Sequence, residues 1–304
     1  LVMGPWIHGG WARGEGLNLG DVPFNAKTSE FFREHIELPF FEYHLKGKGS
    51  LDQPKAWVFE TGTNVWRKYP DWPPKLAKAK TFYLQASGKL AETPPLAADK
   101  SSESDAYVSD PAHPVPFIDG TVNSIAREYM TADQRFASRR SDVLVYKGPV
   151  LEEDLSIAGP IKAHLTVSTS GTDSDWIVKL IDVYPNDYPD PKPNPRDVSM
   201  GGYQQLVRAE VMRGKFRNSF EKPEPFKPNE PTTVNLTLND VCHNFRSGHR
   251  VMVQVQSSWF PLIDRNPQVF LDIYGAKDSD YHPATERVFH SRERQSSVTL
   301  LVMP

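Results

Sequence analysis

Short segments in which apolar and polar residues strictly alternate recur through the second half of the chain. A period of two is typical of β-strands that bury one face in a core and expose the other. No helical pattern of about 10–15 residues separates these segments, so an antiparallel sheet is favoured over a parallel βαβ sheet. The alternating apolar sets are Ile161, Ala163, Leu165 and Val167; Val207, Ala209 and Val211; Val234, Leu236 and Leu238; and Val251, Val253 and Val255.

Proline occupies 27 of the 304 positions, nearly twice the usual share of about 5%. Because proline can neither donate to a sheet nor continue a helix, its clusters are expected in connecting loops. Further strands are predicted near residues 55–60, 80–85, 143–147, 176–184, 286–290 and 297–303. We therefore predict that residues 53–304 form a β-sandwich of the jelly-roll type, so the fold class is mainly β.

The first fifty residues have a different pattern. The segment 1–7 predicts a buried strand, and a helix is expected to begin with Thr28 or Ser29 as its N-cap and to end at Gly47. Pro39 is expected to kink or split that helix. One strand, a loop and one helix cannot bury their own apolar faces. We therefore expect residues 1–52 to be the end of a larger domain, in a truncated or processed polypeptide.

Composition excludes several classes of protein. The formal net charge of -3 and a pI of about 6.3 argue against a nucleic-acid partner. No apolar run approaches the ~20 residues of a membrane helix, so no membrane partner is predicted. The single cysteine, Cys242, excludes an internal disulfide framework. The compartment stays open.

The segment with the most chemical content is GPWIHGGW at residues 4–11. A histidine in the loop after a buried strand, here His8, occupies the place of the general base in an α/β-hydrolase. Alternatively, His8 is a structural histidine that satisfies a backbone group. Phosphate binding by the glycines is disfavoured, because Leu19 stands where the third glycine of a dinucleotide fingerprint belongs.

Four motifs, in order, resemble the CocE/NonD family of serine hydrolases: GPWIHGGW, TSEFFREHIELPFFEYHLKGKG, DWIVKLIDVYP and SGHRVMVQVQSSWFPLIDRNP. That family includes cocaine esterase, α-amino-acid ester hydrolases, glutaryl-cephalosporin acylase-like proteins and X-Pro dipeptidyl-peptidases. The resemblance implies an α/β-hydrolase domain, a helical cap inserted into it and a C-terminal jelly roll. Residues 1–52 then contain the last strand and helix of the hydrolase domain, and residues 53–304 are the jelly roll.

The resemblance implies that His8 is the catalytic histidine of a Ser-His-Asp triad. Its serine and aspartate are expected upstream of Leu1, because this chain contains no Gly-x-Ser-x-Gly elbow. The chain by itself is therefore expected to be inactive. Its expected partners are a small acyl ester or amide substrate and the missing hydrolase and cap segments. The uncovered half-domain also predicts self-association into a homo-oligomer.

Substrate-binding residues are expected beside the acyl pocket. In the resembling esterases a jelly-roll loop lines this pocket, and its pattern matches residues 110–123, which points to Val122 and Asn123. Trp6, next to His8 in sequence, is a third candidate. The alternatives are that the proline-rich loop is only a solvated connection and that Trp6 packs between domains.

No metal and no cofactor are predicted. The aspartates around the loop after residue 182 match no calcium-binding spacing, and Cys242, His243 and His249 are too sparse for zinc. Arg250, Asp264 and Arg265 are expected to hold the loop after a strand by a structural ion pair or by hydrogen bonds. The aspartates weighed as calcium ligands are Asp182, Asp187, Asp190 and Asp197.

Two functions of different class follow. The first is that the chain is part of a serine hydrolase of α-amino-acid esters or related acyl esters and amides. The second is a non-catalytic β-sandwich that binds carbohydrate or another ligand on exposed aromatic side chains. The candidate platform residues are Trp57, Trp66, Trp72 and Trp259.

Overall fold

The computed structural model describes residues 1–96, 102–122, 124 and 126–304. Strands dominate these residues, and the helices are short. The strands are β1 (Val2–Met3), β2 (Asn18–Leu19), β3 (Val22–Pro23), β4 (Ala56–Glu60), β5 (Val65–Tyr69), β6 (Lys78–Gln85), β7 (Lys89–Ala91), β8 (Ser104–Ser109), β9 (Leu144–Lys147), β10 (Leu155–Thr169), β11 (Asp175–Val183), β12 (Gln204–Arg213), β13 (Thr232–Phe245), β14 (Arg250–Gln256), β15 (Ala284–Phe289) and β16 (Ser297–Val302). The helices are α1 (Thr28–Phe31), a π-helix (Phe32–Glu37), α2 (Leu38–Lys46) and α3 (Arg135–Ser138). Short 3₁₀ helices span Gly10–Ala12, Ala86–Gly88, Arg127–Thr131, Gly214–Phe216, Ile273–Gly275 and Asp278–Asp280.

Eleven of the strands form one sheet, in the order β12-β11-β14-β9-β7-β6-β16-β10-β15-β8, with β13 paired to β10. Among the described strands of this sheet, β7 and β9 pair in parallel and the other pairs are antiparallel. One apolar core joins side chains of β11 and β14 with side chains of β10, β13 and β16. The sheet therefore folds over its own core, and the predicted mainly β sandwich is confirmed.

The predicted alternation of buried and exposed residues holds for strands that expose one face to solvent, and it fails for strands that are covered on both faces. Strand β13 alternates buried and exposed residues from Val234 to Asn239, as its pattern predicts. Strand β14 is buried on both faces after Arg250, because Phe117 and Trp259 pack over the side that carries Gln254. Strands β5, β7 and β8 were not predicted, since their short segments carry no clean alternation.

The long hairpin of β10 and β13 contains a register shift between Gly159 and Ile161. Gly159 has φ 126°, and a Cβ at this position would lie 2.8 Å from Leu301 Cδ1 and 3.0 Å from Pro73 Cβ. The absence of a side chain lets β16 and the loop at Pro73 pack closely over the bulge.

A separate three-stranded sheet forms at the N-terminus, where β1 pairs in parallel with β4 and β4 pairs antiparallel with β5. A bridge between Thr61 and His243 connects this sheet to the large one. The predicted buried strand over residues 1–7 is wrong. Only Val2–Met3 is a strand, and Leu1 is 59% exposed because no described residue covers the free edge of β1. The domain boundary after residue 52 stays a prediction. Strands β4 and β5, which follow residue 52, share a sheet with β1, which precedes it.

The predicted N-terminal helix is continuous, although Pro39 lies inside it. The amide of Leu38 donates to the carbonyl of Arg33, five residues earlier, so a π-helical turn precedes the proline. This wider turn accommodates a residue that cannot donate a backbone hydrogen bond. Gly47, with φ 62°, ends the helix as predicted. Helix α2 has no buried residue, and Leu45 is 75% exposed. No helix among the described residues is long and apolar enough to cross a membrane.

Candidate active-site cleft

His8 lies on an exposed turn between β1 and the 3₁₀ helix Gly10–Ala12. Gly9 follows it with φ 75°, a left-handed conformation that glycine adopts without strain. The imidazole meets Trp11 edge to face, with the ring centroids 6.0 Å apart. Within the described part of the chain, neither ring nitrogen of His8 has a hydrogen-bond partner. Both nitrogens are therefore available for hydrogen bonds to another group.

The start of the helix holds the His8 turn in place. Ser29 Oγ donates to the carbonyl of Gly10 at 3.1 Å, and Thr28 Oγ1 donates to the carbonyl of Gly16 at 2.7 Å. The prediction that Thr28 or Ser29 caps the helix is wrong: Lys27 is the N-cap residue, without a capping side-chain bond. The two hydroxyls bind the preceding loop instead of the first turn of the helix.

A cleft of about 840 Å³ opens beside this turn. His8, Trp6 and Val122 line it together, so the fold brings three of the four predicted site residues to one place. The fourth, Asn123, lies outside the described residues. His8 and Trp6 form the N-terminal wall, and Val122 and Arg127 belong to the opposite wall, contributed by the sandwich. A substrate in this cleft would contact both walls.

Trp6 also packs within the N-terminal part of the chain. Its indole N–H donates to Thr28 Oγ1 at 2.8 Å, and its ring lies 5.3 Å from Phe32 and 5.7 Å from Trp66, measured between centroids. Trp6 lines the cleft and also a neighbouring cavity of about 500 Å³ between the two sheets. The structure therefore assigns it a packing contact in addition to its place in the cleft wall.

Hydrogen bonds fasten the two walls together at the base of the cleft. Thr131 Oγ1 donates to the carbonyl of Leu19 at 2.8 Å, and Tyr203 Oη donates to the carbonyl of Thr131 at 3.1 Å. Arg196 forms an ion pair with Asp21 at 2.9 Å. These contacts join the N-terminal loop to the sandwich, so the cleft has a defined width.

Charged residues of the cleft were not predicted as site residues. Arg13, Arg127 and Arg196 line it, together with the carboxylate-bearing Glu128. They come from three distant parts of the sequence, and no spacing connects them. Arg13 follows the His8 motif directly, which is the one signal that could have singled it out.

Three of the residues weighed as metal ligands, Asp182, His243 and His249, form a buried hydrogen-bonded cluster. Asp182 Oδ1 lies 2.8 Å from His249 Nδ1, and Asp182 Oδ2 lies 3.2 Å from His243 Nε2. Thr61 Oγ1 lies 2.7 Å from the other ring nitrogen of His243. Burial favours the neutral acid, but the hydrogen bonds from the two histidines hold the pKa of Asp182 below its usual value. Among the described residues, no group of three or more His, Cys, Asp or Glu side chains is arranged to bind a metal.

The remaining charged candidates have structural contacts. Arg250 Nη1 donates to the carbonyl of Gly148 at 3.0 Å, and Arg265 Nη1 donates to the carbonyl of Pro111 at 3.0 Å. The carbonyl of Asp264 accepts from Arg213 Nη2 at 2.9 Å. These bonds tie loops to one another, as the hydrogen-bond alternative predicts.

The four tryptophans proposed as a ligand platform do not form one. Trp57 and Trp259 are buried, and the ring of Trp66 stacks on Phe31 at 5.5 Å. The indole N–H of Trp72 donates to Asp240 Oδ2 at 2.5 Å. An exposed stacking surface needs accessible ring faces on one side of the sheet. The arrangement therefore argues against the carbohydrate-binding alternative at these residues.

Comparison with known proteins decides the family. Residues 49–299 match the family described as the X-Pro dipeptidyl-peptidase C-terminal non-catalytic domain. The chain belongs to this family. The matched range contains the large sheet except for the last three residues of β16, whereas His8 lies before that range.

The relatives of this chain are hydrolases. It is 30% identical to the cocaine esterase of Rhodococcus sp. strain MB1 Bresler over 312 residues, covering 100% of this chain and 51% of that protein. It also resembles an α-amino acid ester hydrolase, with a TM-score of 0.91, 42% identity and coverage of 99% of this chain and 49% of the other.

A third match is an aminopeptidase of the marine sediment archaeon Thaumarchaeota archaeon, with a TM-score of 0.91, 40% identity and coverage of 100% of this chain and 49% of that one. The chain spans about half the length of the relatives it matches. The resemblance to CocE/NonD hydrolases is confirmed.

Proposed function

We propose that His8 is the general base of a serine hydrolase that cleaves α-amino-acid esters or related acyl esters and amides. The serine and aspartate of the triad lie on a polypeptide segment outside this chain. The observation that carries the proposal is the position of His8: its exposed imidazole lacks a hydrogen-bond partner in the described structure and lines the cleft that Val122 also lines. A general base must reach both its nucleophile and its orienting carboxylate, which requires two free ring nitrogens.

His8 then acts in four proton transfers. It takes the proton of the serine hydroxyl as the serine attacks the acyl carbonyl, and it returns that proton to the leaving group. It next takes a proton from the water that attacks the acyl-enzyme, and it gives this proton to the serine oxygen as the acyl product leaves. The hydrogen bonds from Ser29 and Thr28 to the loop around His8 fix the imidazole relative to the cleft during these steps.

The relatives support this reaction class. The matched proteins are an esterase, an amino acid ester hydrolase and an aminopeptidase, which share the cleavage of an acyl bond. Esterases release an alcohol, whereas aminopeptidases release an amine. The proposal therefore names a class of substrates, acyl esters and amides, and no single acyl or leaving group.

Exposed apolar residues support a hydrolase and cap segment as the partner of this chain. Val2 is exposed on strand β1, and Leu1 is exposed directly before it. Phe41 and Leu45 are exposed on α2. Apolar surface of this kind is typical of a face that another protein layer covers. The same segment would bring the serine and the aspartate to His8. Self-association into a homo-oligomer stays a prediction.

The test is labelling of the full-length protein with a fluorophosphonate probe, which reacts with an activated serine. We expect intact-mass analysis to find one label on a serine outside this chain, with a labelling rate that falls at least about a thousandfold in His8→Ala. His282→Ala, which replaces an exposed histidine that does not line the cleft, is the matched control. Equal labelling of the His8→Ala protein and the unaltered protein would overturn the proposal.

A further inference from the structure

The cleft beside His8 carries positive charge on both of its walls. Arg13 lies on the N-terminal wall, directly after the 3₁₀ helix Gly10–Ala12, and Arg127 begins the 3₁₀ helix Arg127–Thr131 on the sandwich wall. Arg196 is the third arginine that lines the cleft, and Glu128 carries its carboxylate. The cations therefore outnumber the carboxylate on the lining surface.

The three arginines differ in their partners. Arg196 is paired with Asp21 at 2.9 Å, so its charge is compensated. The guanidinium groups of Arg13 and Arg127 make neither a hydrogen bond nor an ion pair with any residue that the structure describes. Both side chains are exposed to the cleft. The two unpaired guanidinium groups outnumber the single carboxylate of Glu128, so the cleft has a positive potential.

Other arginines near the cleft are used inside the chain. Arg33 donates to the carbonyls of Trp11 and Gly14, both at 2.9 Å. Arg135 binds Asp133 and also donates to the carbonyl of Gly201. Arg13 and Arg127 thus stand apart from their neighbours, because their donors remain available to a ligand.

We propose that the cleft selects an acyl ester or amide that carries a carboxylate, and that Arg13 and Arg127 determine this specificity. The inference rests on the proposed function, which places the scissile bond at His8. A guanidinium presents parallel N–H donors that match a carboxylate in both charge and shape. The carboxylate can belong to the acyl group or to the leaving group, because both would bind a guanidinium in the same way. An anion bound between the walls also lowers the repulsion between the two arginines.

The test compares neutral and anionic substrates of matched shape with the full-length enzyme at low ionic strength. For the acyl side, the pair is mono-4-nitrophenyl adipate and 4-nitrophenyl adipamate. For the leaving-group side, the pair is 4-acetoxybenzoate and 4-acetoxybenzamide. We expect kcat/KM to favour the anionic member of one pair by about tenfold, and this preference to weaken as salt is added.

Arginine variants connect the preference to the two side chains. Arg13→Gln and Arg127→Gln should each lower the ratio of the two kcat/KM values about threefold to fivefold, the size expected for an exposed ion pair. Arg139→Gln removes the same charge from an exposed position that does not line the cleft, and it should leave the ratio unchanged. No preference in either pair, or a preference that survives in the double variant Arg13→Gln/Arg127→Gln, overturns the inference.

A binding measurement separates this inference from the proposed function. Calorimetry on full-length His8→Ala compares adipate with adipamide, without any turnover. If no ester is cleaved in a His8-dependent way but adipate still binds through Arg13 and Arg127, the proposed function fails and the anion site stands. If esters are cleaved through His8 but adipate and adipamide bind equally, the anion site fails and the hydrolase stands.

Discussion

Gly16 has a structural role that follows from its place behind the His8 turn. Its backbone has φ 72°, and its carbonyl accepts the hydrogen bond from Thr28 Oγ1. A Cβ at this position would lie 2.3 Å from Ser29 Oγ and 2.7 Å from the Ser29 amide nitrogen. The loop and the helix therefore approach each other more closely than any side chain permits at this residue.

Gly16→Ala should displace the loop that carries His8. The positive φ alone costs about 1 kcal/mol, and relief of the clash must break the bonds from Thr28 and Ser29 to the loop. We expect the free energy of unfolding to fall by about 2 kcal/mol or more and kcat to fall at least about tenfold. Chemical denaturation and ester hydrolysis by the full-length protein measure the two effects.

Gly14→Ala is the matched control. Gly14 also has a positive φ, 58°, but a Cβ there meets no atom within 4 Å. It should cost only the backbone strain and leave kcat close to its original value. Equal losses of kcat in the two variants would contradict the role assigned to Gly16.

Some features of the cleft could be predicted from the sequence, and others could not. His8 could be singled out because its glycine-rich surroundings and the preceding apolar segment are both local. The partners of Thr28 and Ser29 could not, since a hydroxyl at a helix start more often caps the helix than binds a loop twelve or more residues earlier. Arg127 could not be linked to His8 because only the tertiary fold brings them together.

At the scale of elements, β11 lies between two packed layers. Trp176, Val178 and Leu180 face the main core, while Ile177 and Ile181 face the layer that contains Phe117 and Trp259. Every residue of β11 is buried, including the charged Lys179 and Asp182. A strand buried on both faces must supply its charged side chains with partners inside the protein.

Asp182→Asn should destabilise the junction between the two sheets. The carboxylate receives hydrogen bonds from His243 and His249, and His243 in turn contacts Thr61 beside the three-stranded sheet. We expect the free energy of unfolding at pH 7 to fall by about 1.5–3 kcal/mol, the range for a hydrogen bond to a charged group. Chemical denaturation measures it, and Asp187→Asn, at an exposed position nearby, should change it by less than about 0.5 kcal/mol.

The pH dependence has a defined sign for Asp182. Because the pKa is lower in the folded protein, the contribution of this carboxylate is present above the usual pKa of 3.8 and is lost as the pH falls. The difference in stability between the two proteins should therefore shrink on acidification. A difference that is constant down to pH 2 would contradict this assignment.

Elements with strict alternation were predictable, and those stabilised by tertiary contacts were not. Strands β10 and β13 expose one face to solvent, so polar residues alternate with apolar ones in their sequences. Alternation in β14 predicted the strand correctly but not the burial of Gln254, because the covering residues Phe117 and Trp259 are distant in sequence. The π-helical turn before Pro39 also escaped prediction, since a proline alone does not specify how the helix adjusts.

On the scale of the whole molecule, two buried ionisable groups of opposite type contribute to the pH dependence of stability near neutral pH. Burial, with a smaller contribution from the Asp173 and Asp175 carboxylates, raises the pKa of Glu286 to about 8. Burial lowers the pKa of Lys179 to about 7. Lys179 Nζ donates to Gln134 Oε1 at 2.9 Å and lies 5.1 Å from the ring of Trp259.

We expect a minimum of stability between about pH 7 and pH 8. From pH 4.5 to about 8 the folded protein keeps a proton on Glu286 that the unfolded chain has lost, so stability falls as the pH rises. From about 7 to 10.5 the unfolded chain binds a proton that folded Lys179 lacks, which makes stability rise with pH. Above pH 9 this rise is opposed by buried Cys242, whose pKa is raised to about 12, because the folded protein keeps a thiol proton that the unfolded chain has lost. Each limb has a limiting slope of about 1.4 kcal/mol per pH unit.

Variants assign the two limbs to their groups. Glu286→Gln should flatten the falling limb above about pH 6, and Lys179→Met should flatten the rising limb, as measured by denaturant unfolding at closely spaced pH values. Glu221→Gln changes an exposed carboxylate and is the control, which should retain both limbs. A curve of unchanged shape in Glu286→Gln would show that another group causes the falling limb.

The hydrogen bond from Thr131 to Leu19 has a consequence for turnover. Together with the ion pair of Arg196 and Asp21, it ties the two sides of the cleft at their base. In the proposed reaction, substrates would arrive and products would depart through the mouth of the cleft, past Val122, while both contacts stay in place. Substitutions at the rim would then change the rates of substrate entry and product release directly.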